Sequence, residues 1–170
     1  MAACESGRIV KILKLLGLTG AGLALAVLGA GQIGLFAGAP PARTGVADGR
    51  LQPPSNTPNS VSSQALLYPD HPQRSYAAME PLQFSGTGSA ALQRLATVVL
   101  ALEGTVIVEQ RPDYIRAEST TRLMGFKDDL EFWLDAPAKV IHFRSASRMG
   151  AKDFGVNRAR METIRARFGA

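Results

Sequence analysis

Residues 128–148 read Asp-Asp-Leu-Glu-Phe-Trp-Leu-Asp-Ala-Pro-Ala-Lys-Val-Ile-His-Phe-Arg-Ser-Ala-Ser-Arg. Leu130, Phe132 and Leu134 fall on one side of an extended chain; Asp129, Glu131, Trp133 and Asp135 fall on the other. Ala136-Pro137-Ala138 interrupts the pattern as a turn. The chain then returns over 139–148, with Ile141 and Phe143 on the core side and His142, Arg144, Ala146 and Arg148 opposite. This is a β-hairpin with one apolar face. Keeping that face intact allows only registers in which odd positions meet even ones. One such register sets Glu131 opposite Arg144; the next sets Asp129 there.

Working outward, 105–109 is a short β-branched strand and Arg111-Pro112-Asp113 a turn. The run 114–121 alternates, with Tyr114, Arg116, Glu118 and Thr120 facing away from Ile115, Ala117, Ser119 and Thr121. Residues 89–103 predict a helix, capped by Thr87 or Ser89, with Leu92, Leu95, Val99 and Leu102 on its buried face and Val98 and Leu100 widening it. Asp153 caps a last helix over 153–168, whose stripe is Phe154, Asn157, Met161, Ile164 and Phe168. Helix, antiparallel strands, helix: this order predicts an α+β domain, an antiparallel sheet with two helices packed on one face.

The N-terminal side is different in kind. Residues 15–39 carry no charge, and only Thr19 and Gln32 are clearly polar. A helix of about 20 residues crosses the hydrocarbon core, so this stretch reads as a transmembrane anchor ended by Pro40-Pro41. Arg8, Lys11 and Lys14 precede it; Arg43 and Arg50, with Asp48 between them, follow. That bias places 1–14 in the cytoplasm and exports the rest. Ala37-Gly38-Ala39 also has the small-x-small form of a signal cleavage site. The length of the apolar run and Pro40 just after the cut favour an uncleaved anchor. Ala26, Ala30, Gly34 and Gly38 form a small-xxx-small row along it. Residues 40–64, rich in proline and serine, read as an extended linker, and 65–170 as the exported globular domain.

The 170 residues carry 19 Lys and Arg against 14 Asp and Glu, for a net charge of +5. The surplus sits in 136–170, where eight basic residues stand against Asp153 and Glu162. Nucleic acid is not the expected partner: a membrane segment is present, and no recognition motif or aromatic platform is. A single cysteine, Cys4, excludes a disulfide scaffold and a zinc finger.

The hairpin also gathers the best candidate chemistry. Asp129, Glu131, Arg144 and Arg148 share its polar face, with Trp133 and His142 near the turn; Asp128 begins on the other face or at the strand end. The plain reading is a solvated ion-pair network that fixes register. The sharper one is an anion or ligand site using Arg144, Arg148 and Arg158, helped by Ser145 or Ser147, with Asp153 and Asn157 beside it. Asp128, Asp129 and Glu131 are oxygen ligands without a calcium-binding loop, so no metal and no cofactor is expected. Ser62, Ser63, Asp70 and His71 show no nucleophile elbow and no triad spacing, and His142 reads as a strand histidine. No catalytic residue is assigned. The arginines flanking the last helix are also candidates to face anionic lipid headgroups.

Four motifs occur in order: Asn59-Ser60-Val61-Ser62-Ser63, Asp128-Asp129-Leu130-Glu131-Phe132, Arg144-Ser145-Ala146-Ser147-Arg148-Met149-Gly150, and Asp153-Phe154-Gly155-Val156-Asn157-Arg158-Ala159-Arg160. Together they resemble the family catalogued as domain of unknown function 1499, from about Leu51 to Phe168. In that family the first motif commonly reads Cys-Pro-x-Ser/Thr-Pro-Asn-Cys-Val-Ser-Ser. Pro54 and Ser60 stand here where the two cysteines would be, which implies a disulfide or a joint ligand in relatives and its loss in this chain. The resemblance supplies no chemistry. The functional expectation is a non-catalytic accessory module, anchored in the inner membrane with its domain in the periplasm of a bacterium, partnered by a membrane protein or an anionic lipid. The alternatives are a lipid or small-anion binder at Arg144 and Arg148, then an enzyme using Asp128, Asp129 or Glu131 as acid or base.

Overall fold

The computed structural model describes residues 2–169, with side chains from Lys11 onward except Ile12. The side chains of Cys4 and Arg8 lie outside the described residues. Helix α1 (Ala2–Gln32) is followed by β1 (Ser60–Ser62), a 3-10 turn (Ala65–Leu67), α2 (Arg74–Ala77), β2 (Leu82–Gln83) and α3 (Gly88–Leu100). Then come β3 (Thr105–Arg111), β4 (Tyr114–Thr120), β5 (Lys127–Asp135), β6 (Val140–Ser147) and α4 (Val156–Phe168). The six strands form one antiparallel sheet in the order β1-β6-β5-β4-β3, with β2 sharing the β6 edge with β1. The protein is α+β, as the alternation predicts.

The hairpin takes the register that sets Glu131 opposite Arg144 and Leu134 opposite Ile141. Helices α3 and α4 cover the apolar face. Leu95, Val99, Ile115, Phe132, Phe143, Met161 and Ile164 meet there with no exposed surface. Thr87 caps α3 by accepting from Ala90 N. Leu100 does not widen the buried face: it is 57% exposed. Phe154 leaves the predicted stripe as well. Helix α4 starts only at Val156, Phe154 sits at φ 53°, and its ring is 93% exposed.

Two N-terminal expectations are corrected. Helix α1 ends at Gln32, well before Pro40. Gly34 adopts a left-handed conformation at φ 85°, its N–H returns to Gly31 O, and Leu35 N–H returns to Ala30 O. This paired closure ends a helix without proline. It also breaks the small-xxx-small row, because Gly34 and Gly38 both stand at left-handed turns. Within α1, Leu13–Gln32 is long and apolar enough to cross a membrane.

The stretch 40–64 is likewise no free tether. Ser60–Ser62 pairs with Arg144–Ala146 as a strand, and Leu51, Pro54 and Val61 are buried. Leu51 N–H donates to Gln64 Oε1 at 2.8 Å, and Tyr68 O–H to Leu51 O at 2.5 Å. Its backbone groups find fixed partners in the domain, which periodicity of side chains does not announce.

Met161 and Phe154 fall on the same predicted stripe but occupy opposite environments. Met161→Ala costs about 2–5 kcal/mol in urea denaturation of the detergent-solubilised protein, whereas Phe154→Ala stays within about 0.5 kcal/mol of the parent.

Candidate functional site

The sheet separates the predicted site residues into two groups on opposite faces. On the helix face stand Asp128, Ser147, Asp153 and Asn157. On the other face stand Asp129, Glu131, Arg144 and Arg148. An oxygen-ligand set of Asp128, Asp129 and Glu131 therefore does not assemble, since neighbouring strand positions point apart.

Asn157, on the first turn of α4 and fully buried, organises the helix-face group. Its Nδ2 donates to Asn59 O at 3.1 Å, Ser147 Oγ at 3.0 Å and Asp153 Oδ2 at 2.9 Å. Its Oδ1 accepts from Ser145 O–H at 2.6 Å and Arg160 Nη1 at 2.9 Å. Asp153 accepts from Gly155 N–H, Asn157 N–H and Tyr76 O–H. Burial works to raise its pKa, but these hydrogen bonds outweigh it and hold the carboxyl below its ordinary value. Arg160 also donates to Asp128 Oδ2 at 2.5 Å. Every donor and acceptor of the Asn157 amide is met, so this group locks α4 onto the sheet end.

Arg158 does not join an anion site. Its Nη2 donates to Tyr76 O, and both terminal nitrogens reach Ala78 O. Arg165 similarly donates to Pro81 O at 2.9 Å and to Glu80 O. These arginines strap the 76–81 segment to α4 rather than standing free toward lipid.

The other face was expected to be solvated, and it is not. Arg148 is 5% exposed, Asp129 3% and Glu131 not at all. Residues 45–53 lie over it: Gly45 N–H donates to Glu131 Oε1 at 2.7 Å, and Arg144 Nε donates to Pro53 O at 3.0 Å. Arg148 grips Asp129 with Nε at 2.7 Å and Nη2 at 2.8 Å, and reaches Glu118 at 2.6 Å. These bonds, Asp129 first, raise the Arg148 pKa. Lys127 bonds Glu118 at 2.9 Å and, with Arg148, lowers its pKa. Tyr114 donates to Glu131 Oε1 at 2.6 Å; burial and that carboxylate push the phenol well up. Arg144 approaches Glu131 Oε2 at 3.8 Å, while burial lowers its pKa against the pull of that carboxylate. Charge on this face is thus matched sign for sign within the sheet.

One grouping escaped the sequence reading. Ser63 Oγ lies 3.2 Å from His142 Nδ1, and His142 Nε2 lies 3.9 Å from Asp135 Oδ2. Burial lowers the His142 pKa, with Asp135 opposing, and Trp133 stacks on the ring at 5.4 Å. The residue types suit nucleophilic chemistry, but the bonding does not. Ser63 Oγ accepts Phe143 N–H at 2.9 Å, Ser63 N–H is bound to Phe143 O, and Gln64 N–H to Ser62 Oγ. The nearby N–H groups that would hold an oxyanion are already engaged. The carboxylate sits beyond hydrogen-bond reach of the imidazole. The Ser63 contacts to His142 and Phe143 fasten the end of β1 to β6. The grouping was invisible in sequence because Ser63 and His142 meet only through that strand pairing.

A family model described as "Protein of unknown function (DUF1499)" matches residues 50–168. The chain belongs to this family. No curated protein and no solved structure gives a significant match. The match begins at Arg50, inside the stretch first read as linker, in keeping with the buried Leu51 and the β1 pairing. It takes in Pro54 and Ser60. Ser55 N–H donates to the buried Ser60 Oγ at 2.8 Å, closing the 55–60 turn.

Arg148→Ala costs about 3–5 kcal/mol in urea denaturation, because it strips both guanidinium hydrogen bonds from the buried Asp129 carboxylate and leaves it only Arg116 Nη1 at 3.6 Å. The double variant Arg148→Met/Asp129→Leu regains most of that loss. Pro54→Cys/Ser60→Cys closes a disulfide under oxidising conditions, read as loss of free thiol by mass, and raises stability by about 2–3 kcal/mol over its reduced form.

Proposed function

We propose that this DUF1499 protein is a membrane-anchored, non-catalytic accessory module of the cell envelope, which holds its α+β domain against the bilayer for a membrane-protein partner. The observation that carries this reading is the joint between anchor and domain. Gln32 Nε2 donates to Arg122 O and Leu123 O, both at 2.9 Å. A Cβ added to Gly31 would stand 2.5 Å from Met124 O, and one on Gly125 would stand 2.3 Å from Gly31 O. Phe36 stacks on Phe126 at 5.5 Å. Such close backbone approach fixes the domain's height and rotation relative to the span, whereas a flexible tether fixes neither. The two sheet faces support the same reading: one is filled by packed apolar side chains, and the other by mutually paired charges.

The flanking cations support an orientation with Arg8, Lys11 and Lys14 on the cytoplasmic side and the domain in the periplasm of a bacterial inner membrane. Native mass spectrometry of the full chain, extracted from its own membranes in mild detergent, tests the proposal. The expected result is a complex of fixed stoichiometry with another membrane protein. A solitary chain carrying a small adduct that Arg144→Ala removes would replace this reading with a ligand-binding one.

A further inference from the structure

Phe154 is the anomaly of the domain surface. It is 93% exposed and held at φ 53°, a backbone conformation that a bulky side chain adopts only under constraint. The constraint is visible. The Asp153 carboxylate takes the N–H groups of Gly155 and Asn157, so the chain turns about Phe154 and leaves its ring outside. Strain and an unburied aromatic ring together mark a residue presented to something else.

Its position says to what. The loop after β6 and the turn between β4 and β5 leave the same end of the sheet, joined by Arg148 N–H to Lys127 O at 3.0 Å. That turn carries Leu123, 66% exposed, directly beside the carbonyls that bind Gln32. The β6 loop carries Met149, 40% exposed, whose Cγ would lie 2.8 Å from a Cβ on Gly38. One loop therefore flanks the end of α1 and the other the chain just after it, at Gly38. Each loop also carries an exposed cation, Arg122 on one, 3.9 Å from the equally exposed Glu103, and Lys152 on the other. Apolar tips beside cations, at the point where a membrane span leaves the domain, match the layering of acyl chains beneath phosphate headgroups.

We infer that this end of the domain is a lipid-binding foot: Leu123, Met149 and Phe154 enter the bilayer interface around the anchor, and Arg122 and Lys152 meet lipid phosphates. The inference rests on α1 being a membrane span, and its test separates the two. Single cysteines at positions 25, 123, 138 and 154 of the full chain, with Cys4→Ser, are spin-labelled and reconstituted in phosphatidylcholine–phosphatidylglycerol vesicles. Ala138, in the turn at the opposite end of the sheet, is the aqueous reference.

The foot predicts that labels at 25, 123 and 154 lose broadening by a water-soluble nickel chelate and gain broadening by oxygen, while 138 keeps the nickel effect. If 123 and 154 respond like 138 while 25 is in lipid, the foot is wrong and the anchor stands. If 25 responds to nickel, the anchor reading fails and takes the foot with it. A label at 154 shielded from both reagents means that protein covers Phe154, which overturns the bilayer as its occupant.

Discussion

Arg148 is held between Asp129 and Glu118 at 2.6–2.8 Å, almost out of water, and this clamp constrains the rest of the structure. An ion pair at that depth loses hydration on both partners and is retained only where geometry and further hydrogen bonds replace it. The replacement has two parts. Carboxylates and cations alternate across β4, β5 and β6, so each buried charge meets its opposite. A covering segment then supplies backbone groups from above, Gly45 N–H to Glu131 and Pro53 O to Arg144. Around β5 and β6 the sheet is consequently covered on both faces although only one is apolar. The segment that leads away from α1 is the roof of the charged face.

The apolar half of this architecture was legible because hydrophobic burial leaves a period. Alternation at Leu130, Phe132 and Leu134 against Ile141 and Phe143 limits the register to the odd-to-even pairings, of which the structure takes Glu131–Arg144. The spacing of Leu92, Leu95 and Val99 likewise finds α3. The roof was not legible, because its work is done by peptide groups and by isolated side chains such as Leu51, and neither repeats. Phe154 misled for a related reason. Its spacing fits the α4 stripe, but the stripe begins only where the helix does, and the Asp153 turn precedes Val156. The end of α1 shows the same competition: proline marks an obligatory stop, yet a glycine able to turn left-handed stops the helix earlier.

For the candidate site, alternation correctly separated Asp128 from Asp129 and Glu131, and it grouped Arg144 with Arg148. Sequence proximity then suggested that Ser147, Asp153, Asn157 and Arg158 belong with them. The sheet lies between. Asn157 reaches Ser145 and Ser147 from the helix side, while Arg148, one residue beyond Ser147, turns to the other face. Contacts that bridge distant segments, such as Asn59 to Asn157 or Ser63 to His142, depend on β1 adding to the β6 edge. Nothing local in Ser60–Ser62 distinguishes it from loop.

The same end of the sheet that receives α4 also receives α1, and this convergence ties stability to placement. Arg148 belongs to the buried clamp through its guanidinium, while its Cβ lies where Gly38 admits no side chain of its own. Lys127 belongs to the clamp through Glu118 and takes the Arg148 N–H on its carbonyl. The residues that hold the charged face together therefore also shape the contact with the chain that follows α1. The clamp and the core's apolar contacts lie on opposite sides of the sheet and share no side chain. The integrity of the charged face and the placement of the chain that follows α1 therefore meet at Arg148.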